Sequence, residues 1–208
     1  LVLDGHARAV TSLDFSPDGT QIVSAAAGGE KGQVRIWDAS TGKETLAIDV
    51  PASPECKVAF NPDGTRVVWA GVDVRAWNAH TGKEVLKLQG PASAVHQVLF
   101  SPDGTKILLC CEDKTSQLRD ATVGTELLVL RGHASAVTAA AFSPDESRII
   151  SGAGEPGLKL WDSQAGDEIL TLEGFSGARA IGFSPDGSRI VSASWNGVVR
   201  EWDAGVSR

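Results

Sequence analysis

Methionine and tyrosine are missing from this sequence of 208 residues, and cysteine occurs three times. With no initiator methionine and ends that align to an internal repeat, the chain reads as an excised, processed or engineered piece of a longer protein. Cys56, Cys110 and Cys111 form an odd set without framework spacing, which argues against a disulfide-stapled secreted scaffold and for a reducing, cytoplasmic setting. Apolar runs stop at about seven residues, against the roughly 20 that a membrane-crossing helix needs, so no such span is expected. Leu1–Leu3 is apolar but lacks the basic flank and cleavage site of a signal peptide. Lys and Arg number 19 against 26 Asp and Glu, a net charge of −7 without a basic cluster, which argues against nucleic acid as a partner.

What the sequence has in quantity is turns and repetition. A Phe followed by Ser-Pro-Asp-Gly, or a near copy of it, recurs at Phe15, Phe60, Phe100, Phe142 and Phe183, at spacings of 45, 40, 42 and 41. A second mark runs in phase with it: Trp37-Asp38, Trp77-Asn78, Trp161-Asp162 and Trp202-Asp203, with Arg119-Asp120 in the remaining slot. Between the marks, polar and apolar residues alternate with the period of two that defines strands, as in Val10 to Phe15. Four strands fit each period, in the first at about 9–15, 20–26, 33–38 and 44–49. Pro17-Asp18-Gly19 joins the first two strands and Ser40-Thr41-Gly42 the last two. No window holds a helical period, so helices are expected to be negligible.

With these marks the chain resembles the WD-repeat β-propeller family, whose repeats are four-stranded blades around a channel. Gly5-His6, Gly132-His133 and the Trp-Asp pairs carry the likeness over essentially the whole chain. The resemblance implies an all-β fold, a five-bladed β-propeller of four-stranded antiparallel blades in one domain spanning 1–208. Its repeats fall at about 4–49, 50–89, 90–131, 132–173 and 174–208 plus 1–3. Because Leu1-Val2-Leu3 aligns with Leu128-Val129-Leu130, the N-terminal strand is expected to complete the last blade and close the ring as a monomer. A partial arc of a larger ring, or self-association of two copies, is also open.

The family implies a buried hydrogen-bonded set in each blade: a His, a Ser or Thr, an Asp and the Trp. The fourth repeat matches best, with His133, Ser151, Glu155 and Trp161. The first has His6, Ser24 and Trp37, with its acid displaced by a longer 25–33 loop; the fifth has Phe175, Ser192, Asn196 and Trp202. The second and third depart furthest, with Pro54, Trp69, Pro91, Leu109 and Arg119 in these places and Asp113 retained. These two are expected to rely on apolar packing.

Function is expected at positions the architecture does not need. On the face of the loops preceding the inner strands these are Thr11, His96, Thr138, Arg179, Glu112 and Trp195, assigned to a protein or peptide partner because exposed Trp and Arg dominate interface energetics. Cys56 shares the inner-strand position, but with His96 it lacks the further ligands of a zinc site, so no metal is expected. Consecutive Cys110 and Cys111 point to opposite faces of a strand and cannot chelate together. No phosphate loop, Gly-x-Ser-x-Gly elbow or close carboxylate pair occurs, so neither catalysis nor a cofactor is expected. The expectation is a noncatalytic protein-protein interaction scaffold, the sensor or docking part of a larger signalling protein. A propeller enzyme or small-ligand binder at the channel mouth around His96 and Arg179 is the alternative, and an excised or engineered array a third reading.

Overall fold

The structure, a computed structural model, describes residues 1–88, 90–91 and 93–205, with Phe175 described in its backbone alone. The side chain expected in the histidine place of the fifth repeat, Phe175, therefore lies outside the described residues, as do positions 206–208. Among the described residues there is no helix. Nineteen strands among the described residues form five antiparallel sheets in chain order. The first holds β1 (Val10–Phe15), β2 (Gln21–Ala26), β3 (Lys31–Asp38) and β4 (Glu44–Pro51). The second holds β5 (Lys57–Phe60), β6 (Arg66–Ala70), β7 (Val74–Asn78) and β8 (Glu84–Leu88). The third has β9 (Val95–Phe100), β10 (Lys106–Cys111), β11 (Thr115–Asp120) and β12 (Glu126–Arg131). The fourth has β13 (Val137–Phe142), β14 (Arg148–Ala153), β15 (Pro156–Asp162) and β16 (Glu168–Ser176). The fifth has three, β17 (Ala178–Phe183), β18 (Arg189–Ser194) and β19 (Val199–Asp203). The chain divides into two compact units, Leu1–Ile107 with Asp120–Thr125, and Leu108–Arg119 with Glu126–Arg208.

The repeated turn explains the first hairpin of each sheet. In the first sheet the Asp18 carboxylate accepts bonds from Ser16 Oγ (2.6 Å) and the Thr20 amide (3.0 Å), closing the loop onto itself. Gly19 takes φ 70°, a left-handed conformation that an L side chain resists. The fourth sheet keeps the same turn with Glu146 in that place at φ 59°. The longer loop of the first repeat is absorbed by extending the β3–β4 ribbon, so β3 starts at Lys31 rather than near 33.

Packing joins the first sheet to the second and the fourth to the fifth by one rule. In the first unit Val23, Ala25, Val34 and Ile36, on the forward face of the first sheet, meet Val58, Phe60, Val67, Trp69 and Trp77 on the rear face of the second. In the second unit Ile150, Leu158 and Leu160 meet Ala178, Ile181, Ile190, Phe183 and Trp202 in the same way. Polar clasps reinforce the joints. Ser12 Oγ and Asp14 Oδ2 accept the Val58 and Phe60 amides at 3.1 and 2.9 Å, satisfying the inner edge of β5. Arg66 donates to the Ala121 carbonyl at 3.0 Å, and its equivalent Arg148 donates to that of Ala204.

On the first and fifth sheets the corresponding positions are exposed. Leu13 and Phe15, which stand where Val58 and Phe60 are buried, are 65% and 55% exposed. Val191 and Val199, which stand where Val23 and Val34 are buried, are 43% and 71% exposed. Arg189, the equivalent of Arg66 and Arg148, pairs instead with Glu201 of its own sheet at 2.7 Å.

The fourth strand expected for the last sheet from Leu1-Val2-Leu3 is not formed. These residues carry no strand, Leu1 and Val2 are exposed, and the fifth sheet ends at β19. Three residues offer too few hydrogen bonds to offset an ordering cost of about 1–2 kcal/mol each. Leu1 nevertheless keeps one feature of an outer strand. Its Cδ1 lies 3.0 Å from where a Cβ on Gly42 would stand, as Leu46 Cδ1 does at Gly82.

Candidate interaction surface

The inner strands place the expected partner residues by a shared irregularity. Register shifts fall between Val10 and Ser12 in β1, between Val137 and Ala139 in β13, and between Ala178 and Ala180 in β17. The residue at each shift is Thr11, Thr138 or Arg179, and such a bulge re-aims its side chain. Thr11 Oγ1 donates to the Cys56 carbonyl at 2.9 Å and Thr138 Oγ1 to that of Ala178. Both hydroxyls thus clasp the next sheet, which gives them a structural task the sequence did not reveal.

Arg179 turns elsewhere. Its guanidinium carbon lies 3.5 Å from the centroid of the Trp195 ring, a stacked cation–π contact. Trp195 follows β18 in the turn to β19, is 67% exposed, and donates its backbone N–H to the Gly177 carbonyl at 3.0 Å. Gly177, at φ 68°, lets the ring edge come close: a Cβ there would lie 3.3 Å from Trp195 Cδ1. The tryptophan is therefore held from below while much of its surface stays in water.

The other expected residues stand apart from this pair. His96 is the second residue of β9 in the first unit, with Nδ1 3.7 Å from Glu55 Oε2. Together they edge a cleft of about 660 Å³ whose walls include Pro54, Val72, Pro91 and Val95. The cleft lies at the loops of the two repeats that lack the histidine, where Pro54 and Pro91 stand instead. Glu112 is exposed in the second unit between β10 and β11. His96 and Arg179 belong to different units.

The buried polar set is complete in the fourth repeat. Trp161 Nε1 donates to Ser151 Oγ at 2.7 Å, Ser151 bonds His133 Nε2 at 2.7 Å, and His133 Nδ1 meets Glu155 Oε1 at 2.6 Å. A neutral imidazole protonated on Nδ1 satisfies the whole chain of bonds. Burial lowers the His133 pKa, more than its Glu155 partner restores. Burial also pushes the Glu155 carboxyl up, but bonds from Ser135, the Ala134 amide and His133 outweigh it and hold the group at about 2. Glu thus fills the Asp place. In the first repeat Trp37 and His6 bond Ser24 at 2.8 and 2.6 Å, while His6 Nδ1, with the acid displaced, has no partner among the described residues. In the fifth, Trp202 Nε1 bonds Ser192 at 2.9 Å. In the second, Trp69 is fully buried and its Nε1 has no partner among the described residues.

Comparison with known proteins agrees with this repeat pattern. The signature of the family described as WD domain, G-beta repeat matches residues 1–38, 82–120, 124–162 and 166–203. The gap over 39–81 takes in most of the second repeat, where Trp69 replaces the serine. A guanine nucleotide-binding protein subunit beta of Nicotiana tabacum is 38% identical over 72 residues, 35% of this chain and 18% of that protein. The subunit beta of Arabidopsis thaliana is 38% identical over 71 residues, covering 34% and 18% of the two chains. A WD repeat-containing protein of Synechocystis is 38% identical over 72 residues, covering 34% and 20%. The matched stretch spans a fifth or less of the length of these relatives.

Proposed function

The chain belongs to the WD domain, G-beta repeat family, and from that premise we propose that it is a noncatalytic scaffold. Its five sheets act as blades of one propeller domain and present loops to a protein or peptide partner in the cytoplasm. The observation that carries the reading is the Arg179–Trp195 pair. An indole that is 67% exposed, fixed by a guanidinium at 3.5 Å and a backbone hydrogen bond, is a preorganised anchor whose ordering cost is met before any partner arrives. His96 and Glu112 extend the candidate contact set. Thr11 and Thr138 serve it indirectly by fixing the inner strands. The partner class follows from the side chains: a net charge of −7 disfavours nucleic acid, and no helix among the described residues is long and apolar enough to cross a membrane.

The test compares Trp195→Ala and Arg179→Glu with the parent chain in capture of partners from cell extract, with melting temperature in parallel. The expected result is an unchanged melting temperature and loss of at least one captured protein in both variants. A capture profile untouched by either variant would remove the pair from the interaction surface. A second reading, small-ligand binding, draws on the cleft beside His96 and Glu55. It predicts that His96→Ala abolishes binding of a ligand that Trp195→Ala leaves intact.

A further inference from the structure

The first and fourth repeats enter their inner strands by nearly the same sequence, yet only one of them gives its donors an acid. Gly5-His6-Ala7-Arg8-Ala9-Val10 aligns with Gly132-His133-Ala134-Ser135-Ala136-Val137, the difference being Arg8 in the place of Ser135. In the fourth repeat the Glu155 carboxylate meets four groups: His133 Nδ1 at 2.6 Å, the Ala134 amide at 2.9 Å, the Ser135 amide at 2.8 Å and the Ser135 hydroxyl. In the first repeat the longer 25–33 loop carries Gly28 and Gly29 there, and Glu30 is exposed.

The donors of the first repeat can be followed one by one. Ser24 Oγ accepts the Trp37 Nε1–H at 2.8 Å and gives its own proton to His6 Nε2 at 2.6 Å, so the imidazole proton sits on Nδ1. That Nδ1 is buried without an acceptor among the described residues, a costly arrangement for a donor. Burial and then Arg35 lower the His6 pKa against the smaller opposing effect of Glu44, which keeps the ring a neutral donor. The Ala7 and Arg8 amides also meet no acceptor among the described residues. The Arg8 guanidinium, which replaces the Ser135 hydroxyl, stands against Gly29, its Nε and Nη2 3.3 Å from where a Cβ there would lie. Arg8 forms no ion pair among the described residues, whereas Lys31 is engaged with Asp49 at 3.2 Å. Ala7, Arg8, Gly28, Gly29, Glu30 and Lys31 line one cleft of about 540 Å³ in the first unit.

We propose that this cleft binds a carboxylate supplied by another molecule, held as the fourth repeat holds Glu155. One oxygen accepts from His6 Nδ1 and the Ala7 amide, the other from the Arg8 amide and guanidinium. A guanidinium beside other N–H donors suits the two oxygens of a carboxylate. Nδ1 is closed to water, so binding shifts the 25–33 loop, in which Gly28 and Gly29, at φ 97° and 82°, put no side chain in the way. The carboxylate belongs either to a free small acid or to a Glu or Asp side chain of a protein partner.

The probes are sodium acetate and two tripeptides blocked at both ends, Ala-Glu-Ala and Ala-Gln-Ala, titrated into the chain while the imidazole nitrogen resonances of isotopically labelled histidine are followed at neutral pH. Acetate and the Glu peptide should shift the His6 Nδ1 signal saturably, and the Gln peptide should not. His133, whose donors Glu155 already engages, should not respond. Arg8→Ala, at an exposed position, should weaken binding by about tenfold or more with an unchanged melting temperature. Equal affinity for the two carboxylates assigns the site to a free acid, and tighter binding of the peptide assigns it to a protein side chain. A His6 signal that neither carboxylate moves, or that responds equally in Arg8→Ala, would overturn the proposal. So would a shift of the same signal in Glu30→Gln before any acid is added, since the chain's own Glu30 then holds these donors.

Discussion

The second and fourth repeats fill the same space between sheets by opposite means. In the fourth, Ser151 sits under Trp161 and ties it to His133 and Glu155, four side chains joined by hydrogen bonds that leave none of their buried polar atoms unpaired. In the second, Trp69 occupies the serine place, its benzo edge against Gly71, and it joins an apolar cluster with Val67, Phe60 and Trp77. One solution uses direction and the other volume. Fold-level complementarity survives the exchange because the joint needs a filled, dry interface, and either a polar network with every member satisfied or a large ring supplies it.

The largest effect that separates or equates the two should come from deleting the rings. Trp161→Ala and Trp69→Ala are each expected to cost about 3–5 kcal/mol in urea unfolding, since both rings are fully buried. A loss under about 1 kcal/mol at Trp69 would mean that its ring is not what fills the second repeat. Next in size is the hydrogen-bond contrast. Ser151→Ala strands the Trp161 N–H and the His133 ring and should cost about 1–3 kcal/mol. Trp69→Phe, which removes a donor that has no partner among the described residues, should stay within about 1 kcal/mol of the parent. Equal costs would erase the distinction between direction and volume.

Acid should also divide the repeats. His133 has its pKa lowered below 6.5 by burial, so the unfolded chain takes up the proton first and stability declines as pH falls through 6.5. Glu155, held at about 2 against 4.5, contributes stability that is complete above 4.5 and is lost as pH falls toward 2. Both act in the same direction. The stability gap between the parent chain and Glu155→Gln should therefore narrow steadily from about pH 5 to pH 3, whereas the cost of Trp69→Ala should not follow either group. A gap that widens on acidification would contradict the assignment of the proton to Nδ1 of His133.

The smallest expected effect lies in the turn of the fourth sheet. Glu146→Gly relieves a left-handed backbone that costs an L residue about 1–2 kcal/mol, offset by the greater freedom of glycine when unfolded. A gain of up to about 1 kcal/mol in urea unfolding is expected, and a loss would show that the Glu146 side chain contributes more than its conformation costs.

How far the molecule could be read in advance depends on whether the partner of each residue is itself marked. The strands and hairpins were legible because alternation and the Pro-Asp-Gly turn are local. The His133–Ser151–Glu155–Trp161 set was legible through the family resemblance, which names the side chains to look for and their places in the repeat. Thr11 and Thr138 were not, since their acceptors are backbone carbonyls, which have no sequence signature, and since the bulges that aim them leave no composition trace. Trp195 was singled out as a turn residue without a task in folding and is exposed, but its stacking on Arg179 depends on the shift at Ala178–Ala180 in a hairpin whose alternation alone gives the wrong phase. The opening tripeptide misled for a related reason. Its likeness to Leu128-Val129-Leu130 records what an outer strand contains, while pairing depends on which edge it meets.

Each stretch of about forty residues carries both a forward face and a rear face, together with the serine, threonine, aspartate or arginine that fastens it to its neighbour. A tandem copy inserted beside its parent therefore arrives already fitted on both sides. Gene duplication can lengthen or shorten such an array one unit at a time, and a repeat then tolerates a different filling, as the second does with an indole where the first, fourth and fifth have a serine.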